Sequence, residues 1–290
     1  MPRESIRPIT IARVIEILAV SDRELDVTPE NLSARLGMNN RRAKELLAEC
    51  GDMGIVTRSK AGYRITPNGR RLLGFFESED WKRFREYFRH NYPIYKRFLE
   101  VVEGATKKPT GITMEEMISK GSSVRPSLNQ TAIDVLSKLA ERLGHVQRNL
   151  YSSRFYLVNP GPLRDSFASA LLATYDELNV RSGVGLSALY VEIPLLREDV
   201  CEKLKIPRDR FDDLFLGLYQ ENIGTMELSG APIITRAKRS RHAVRTLQRT
   251  VKEDMLAPKL DLERERRGIE LLGKSYYYVA FHGKPKRFEP

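Results

Sequence analysis

NLSARLGMNNRRAKELL, Asn31 to Leu47, is the stretch on which the fold turns. Leu32 and Leu36 close a short apolar-spaced segment that stops at Gly37. Three residues later a second segment begins, with Ala43, Leu46, Leu47 and Cys50 at the i, i+3, i+4, i+7 spacing of a helix with one buried face. Thr28 is placed to cap the first of these helices, with Pro29 at its first position. Upstream, ITIARVIEILAV, Ile9 to Val20, has helical apolar spacing of its own. Downstream, Ile55 to Thr66 reads as a β-hairpin: β-branched flanks, a Ser-Lys-Ala-Gly turn at residues 59–62 and Tyr63 on the return strand. Pro67 then opens a closing helix.

Three helices, a glycine turn inside the second pair, a hairpin and a last helix in this order resemble the winged helix-turn-helix superfamily. The residues that carry the likeness are Leu32, Leu36, Gly37, Ala43, Leu46, Leu47 and the Gly54-Ile55 entry to the hairpin. The resemblance implies that the second motif helix enters the major groove of double-stranded DNA, where arginine pairs with guanine and asparagine with adenine while the wing holds phosphates. It places Asn39, Asn40, Arg41, Arg42 and Lys44 on the reading helix, and Arg58, Lys60 and Arg64 on the wing.

The motif recurs within the chain. At a constant offset of 168, Leu32, Leu36, Ala43, Leu46, Leu47, Cys50 and Ile55 fall on Val200, Leu204, Phe211, Leu214, Phe215, Leu218 and Ile223. A looser copy lies between them, with Ala132, Val135, Leu136 and Leu139 as its stripe, a turn lengthened by GSSVRPS, and a hairpin in HVQRNLYSSRFYLV. The expected fold class is therefore mainly α with small β-hairpins (α+β), as three tandem winged helix-turn-helix domains. Their boundaries are 1–76, 77–160 including a helical connector with a break before Pro93, and 161–290, with NPGPL (Asn159 to Leu163) as the clearest linker. GKSYYYVAF, Gly273 to Phe281, is placed to return beside the strand at Thr225–Leu228 in an enlarged wing.

The copies share a core stripe but not an outer face. Arg41, Arg42 and Lys44 become Asp209, Arg210 and Asp212, with Asp213 alongside, and carboxylates facing phosphate repel it. Asp209, Asp212 and Asp213 are accordingly candidates for a protein interface. In the middle copy the matching positions are Gln130, Thr131 and Ile133, which are neutral. Tyr87, Tyr92 and Tyr95 recur at helical intervals and are read as packing between domains or across a dimer.

The net charge of +11 leans toward polyanionic partners. It is densest in RAKRSRHAVRTLQRTVK, Arg236 to Lys252, which contains no acid. There Arg236, Lys238, Arg239, Arg241, Arg245 and Arg249 are expected to track a DNA backbone, as a helix or as part of an extended wing. Cys50 and Cys201 sit among apolar neighbours and read as buried thiols. The sequence contains no phosphate loop, zinc-protease helix or nucleophile elbow. His242 and Arg245 followed by Tyr276–Tyr278 are similar to part of the tyrosine-recombinase constellation, but the upstream arginine box is missing and the tyrosines sit in a sheet-like setting. No cofactor and no metal are expected. No apolar run is long enough for a membrane span, and the opening residues lack a secretory signal, so a cytoplasmic, nucleoid-associated protein is expected. The sequence thus reads as a non-enzymatic transcriptional regulator, homodimeric or docked to a protein through its second and third domains. The alternative is an architectural or adaptor subunit of a chromosome-segregation, replication, transcription or phage-defence complex.

Overall fold

The structure, a computed structural model, describes residues 6–105, 110–122, 128–159, 164–182, 189–230 and 268–283. The chain is mainly helical with small antiparallel sheets. Its described residues fall into two compact units, residues 6–105 with 112–146, and residues 110–111, 147–159, 164–182, 189–230 and 268–283.

The first unit begins with α1 (Ile11–Arg23), α2 (Pro29–Leu36) and α3 (Asn40–Asp52), the hairpin β1 (Val56–Arg58) and β2 (Tyr63–Ile65), and α4 (Pro67–Glu77). Each helix starts where a side chain accepts from an otherwise orphaned amide: Thr10 from Arg13, Thr28 from Asn31, Asn39 from Arg42 and Thr66 from Gly69. Gly37 ends α2 in the left-handed region, at φ 62°. The stripe read from the sequence is the one buried: Ala43, Leu46, Leu47 and Cys50 of α3 lie with Ile17 and Leu18 of α1, Leu32 and Leu72 in the core. Gly69 is required by close packing, since a Cβ there would stand 2.2 Å from the Ile55 carbonyl oxygen. Val27 bridges to Tyr63, tying the segment before α2 to the hairpin.

Four further helices complete the first unit: α5 (Trp81–Asn91), α6 (Pro93–Ala105), α7 (Met114–Ser122) and α8 (Gln130–Arg142). The expected break falls at Tyr92, before Pro93. Helix α8 carries the same end signals as α3, one residue out of the register expected from the sequence. Asn129 caps α8 as Asn39 caps α3, and Gly144 (φ 68°) follows α8 as Gly54 (φ 71°) follows α3, so the offset is 90. Ile133, Leu136 and Ala140 are the buried equivalents of Ala43, Leu46 and Cys50. Ile133 is thus core rather than outer face, and the residues matching Arg41, Arg42 and Lys44 are Thr131, Ala132 and Asp134.

The second unit contains the hairpin of β3 (Val146–Arg148, apart from Val146) and β4 (Phe155–Leu157). It also holds α9 (Arg164–Ser182), α10 (Ile193–Leu204), α11 (Arg208–Glu221) and a four-stranded sheet. Val200, Phe211, Phe215 and Leu218 pack with Phe167 and Leu171 of α9, a helix the sequence reading passed over. Lys205 ends α10 at φ 60°, matching Gly37 at the offset of 168 without the glycine. Ile223, expected to be buried like Ile55, is instead 73% exposed.

In the sheet, β8 (Lys274–Phe281) pairs antiparallel with β6 (Met226–Gly230), from Met226 opposite Phe281 to Gly230 opposite Tyr276, as expected of a returning strand. Two strands that the sequence reading did not place join β8: β5 (Val191–Glu192) and β7 (Ile269–Leu271). The β7–β8 turn is the two-residue Leu272-Gly273, with both φ values positive (51° and 74°), the twist-matched geometry of a tight hairpin. Cys50 and Cys201 are buried free thiols, and burial raises the pKa of each.

Candidate nucleic-acid interface

On α3 the five expected contacts separate into structural and available groups. The Asn39 side-chain oxygen is occupied by the Arg42 amide at 2.8 Å, and the Asn40 nitrogen donates to Glu30 at 2.7 Å. That bond, with a smaller contribution from the nearby Lys44 charge, holds the Glu30 carboxyl below its ordinary value. Arg42 donates to the Pro8 carbonyl and lies 3.4 Å from Glu45, so it ties the helix to the segment before α1. Arg41 projects from the helix: its side chain is 92% exposed and its one ion pair, with Glu45 at 3.4 Å, is long and screened. Lys44 is exposed as well. Of the five, Arg41 and Lys44 are the side chains free to reach another molecule.

The hairpin divides in the same way. Arg58 and Lys60 are exposed, with no ion pair among the described residues. Arg64 forms a two-pronged pair with Asp26, at 2.7 and 2.8 Å. The Arg64 guanidinium and the Ser59 hydroxyl hold the Asp26 carboxyl down to about 2. Arg64 therefore braces the hairpin against the turn before α2 instead of standing open to phosphate. Arg236, Lys238, Arg239, Arg241, Arg245 and Arg249 lie outside the described residues.

The tyrosine stripe packs across the boundary expected at residue 76. Tyr87, Tyr92 and Tyr95 are buried inside the first unit, and each hydroxyl has an internal partner: the Met53 carbonyl at 3.1 Å, the Glu49 carboxylate, and His145 Nδ1 at 2.8 Å. Tyr87 and Tyr92 thereby tie the residues after 76 to α3 and its C-terminal end, the packing between expected domains that the sequence suggested, and Tyr95 packs beside them. Desolvation keeps His145 neutral, with its pKa lowered to about 4, an effect increased by Arg89 and Arg85. Burial raises the Glu49 carboxyl above its ordinary value.

The α11 face is also altered by its neighbours. Asp212 accepts from Arg197 at 2.6 Å, and Arg197 is itself buried, donating to the Gly268 carbonyl at 2.7 Å. Asp212 thus serves the unit's own sheet, while Asp209 and Asp213 remain exposed. At the head of α11, Arg208 is buried and binds both oxygens of buried Glu198, together with the Arg148 carbonyl of the β3–β4 hairpin at 2.6 Å. Glu198 also accepts from the Leu150 amide at 2.8 Å. One turn along α10, Glu202 accepts from the Gly111 amide, the Asn149 side chain and the Ser152 hydroxyl, at 2.7, 2.6 and 3.1 Å. The first residue of α11 is therefore turned inward against the unit's own hairpin, while Asp209 and Arg210 of the same turn stay exposed. In a reading helix that is the turn that meets base edges. The signal in the sequence was the pair Glu198 and Glu202, four apart on the inward side of α10, opposite Arg208.

Tyr277, in the middle of β8, donates to Glu192 at 3.1 Å, and desolvation raises its phenol above the ordinary value, the reverse of what a nucleophile needs. His242 and Arg245 lie outside the described residues. Among the described residues no group of three or more His, Cys, Asp or Glu is placed to hold a metal ion, and no helix is long and apolar enough to cross a membrane. Scanned against models of known families the chain matches none, and a search of curated proteins finds no match.

Proposed function

We propose that this chain is a non-enzymatic DNA-binding protein, a transcriptional regulator built on winged helix-turn-helix units, whose first copy reads double-stranded DNA. The observation that carries this is the contrast among three equivalent helices. On α3 the positions that face outward hold Arg41 and Lys44, while α8 has Thr131 and Asp134 and α11 has Asp209 and Asp212. A helix firmly capped and packed on its inner side, with exposed cations on its outer side and a hairpin bearing Arg58 and Lys60 at its end, has the chemistry of a groove reader with phosphate clamps. The segment 236–252 adds backbone affinity in this reading. Two-fold operators make a homodimer the natural assembly, and a cytoplasmic, nucleoid-associated location follows.

A second reading, an architectural or adaptor subunit, is favoured by the exposed carboxylates of α11, since a copy whose outer face repels phosphate is free to engage protein through Asp209 and Asp213. The two readings part in a gel-shift series at physiological salt with specific and random competitor DNA, using the full chain. Arg41→Ala with Lys44→Ala is expected to reduce discrimination among sequences, by about 1–3 kcal/mol for each base that is no longer read. Neutralising the arginines of 236–252 should weaken all sequences alike and flatten the salt dependence. A double variant that discriminates as well as the wild type removes the reading-head assignment, and a wild type that prefers no sequence favours the adaptor.

A further inference from the structure

Helices α4 and α5 line an open cleft of about 290 Å³ in the first unit. Its lining follows helical spacing on both sides, with Asn68, Arg71 and Phe75 from α4 and Arg83, Glu86, Tyr87, His90 and Asn91 from α5. Tyr87 is buried and Phe75 half-buried, whereas Arg71, Arg83, His90 and Asn91 are exposed, so the cleft has an aromatic floor and a cationic rim.

The polar groups of the lining are only partly occupied. The Tyr87 hydroxyl is taken by the Met53 carbonyl, which leaves its ring as the group presented. The Asn91 nitrogen donates to the Tyr87 carbonyl at 3.1 Å, leaving its oxygen as an acceptor. Glu86 lies 3.5 Å from His90 Nδ1, and the lining sets the two guanidinium groups of Arg71 and Arg83 against this one carboxylate. Arg83 has a single long ion pair, with Asp80 at 3.5 Å, and Arg71 has no ion pair among the described residues. A surplus of guanidinium above an aromatic floor is not needed for the packing of α4 on α5, which is carried by Leu72, Phe84 and Phe88.

We propose that this cleft binds a small ligand with a single aromatic or heteroaromatic ring and one anionic group. The volume is at the lower end of ligand sites, about 300–1,000 Å³, and suits one ring rather than a fused, extended molecule. The ring lies on Phe75 and Tyr87, the anion takes charge-assisted hydrogen bonds from Arg71 and Arg83, and the Asn68 and Asn91 amides contact the ring's polar edge. Such a site gives the protein a means of responding to a metabolite. It uses none of the residues assigned to DNA and stands independently of that reading.

The test is calorimetric titration of the full chain with uridine 5′-monophosphate and with benzoate, each beside its neutral counterpart, uridine and benzamide, and with inorganic phosphate alone. Fluorescence of Trp81, the chain's one tryptophan and two residues from Arg83, supplies a second readout. At least one of the two ring-bearing anions should saturate below about 1 mM, with its neutral counterpart and phosphate at least about tenfold weaker. Arg71→Gln with Arg83→Gln should remove that preference without changing the thermal midpoint, and Phe75→Leu should weaken the ring-bearing anions but not phosphate. If neither anion saturates below about 1 mM, or if the double arginine variant binds as the wild type does, the site is refuted.

Discussion

Replacing Arg208 with methionine should unfold the second unit's polar centre out of proportion to the one ion pair removed. In the native chain buried Arg208 occupies both oxygens of buried Glu198 and also reaches the part-buried Arg148 carbonyl. Methionine matches much of the arginine's apolar stem but leaves Glu198 as a buried carboxylate held by the Leu150 amide without its cation. An uncompensated buried charge costs about 3–5 kcal/mol. Against a total stability of about 5–15 kcal/mol, the variant stands close to unfolding. Removing both partners, as Arg208→Met with Glu198→Met, eliminates the stranded charge and leaves mainly orphaned backbone groups, so the double variant should be more stable than Arg208→Met alone. Urea denaturation of the wild type, both single variants and the double variant, followed by circular dichroism, yields the coupling energy. Amide hydrogen exchange over residues 147–157 should speed up most in Arg208→Met. A single-variant cost below about 1 kcal/mol, or additive single effects, would sink the idea that this pair clamps the hairpin to α10 and α11.

The register of α8 is checked by truncation: Ile133→Ala should cost about 2–5 kcal/mol, as a fully buried branched residue, while half-buried Val135→Ala should cost clearly less. The reverse order would restore the register read from the sequence. Gly37→Ala places a Cβ in open space at φ 62° and should cost about 1–2 kcal/mol. Gly69→Ala drives a Cβ to 2.2 Å from the Ile55 carbonyl and should cost more; equal thermal midpoints for the two would contradict the close approach of α4 to that strand entry. His145 binds its proton less readily folded, at about 4, than unfolded, at about 6.5, so its contribution is complete above about pH 6.5 and is lost as pH falls toward 4. His145→Phe should flatten the rise in urea midpoint between pH 4.5 and 7. Glu49, whose pKa is raised by burial, acts in the opposite sense over that range, so the comparison is between variant and wild-type slopes; parallel slopes would refute the assignment.

Much of the first unit was legible because its signals are local. Thr28, Asn39 and Thr66 each cap a helix within three residues of themselves, Gly37 needs only its own backbone angle, and the Ala43-Leu46-Leu47-Cys50 stripe is a property of one helix. The middle copy was misplaced by one residue because a lengthened turn removes the register mark. Ala132-Val135-Leu136-Leu139 and Ile133-Leu136-Ala140 are then both acceptable helical stripes; the structure buries Ala132, Leu136 and Leu139 along with Ile133 and Ala140, and the Asn129 cap and Gly144 set the register. Of the candidate site, residue types placed Arg41 and Lys44 on an outer face, but not the occupation of Asn40 and Arg64 by neighbours elsewhere in the chain, such as Asp26, 38 residues from Arg64.

In the first 77 residues the sequence by itself determined the elements, their caps and turns, and the inner face of α3, since these depend on neighbours within about four residues. Tertiary structure decided which polar residues are available. Tyr92 and Tyr95 are inside because Glu49 and His145 receive their hydroxyls, and Arg208 is inside because Glu198 and a hairpin carbonyl lie opposite it. Burying a charged or hydroxyl group is tolerable only when a partner meets it, and partners brought from 10 to 60 residues away leave no periodic trace.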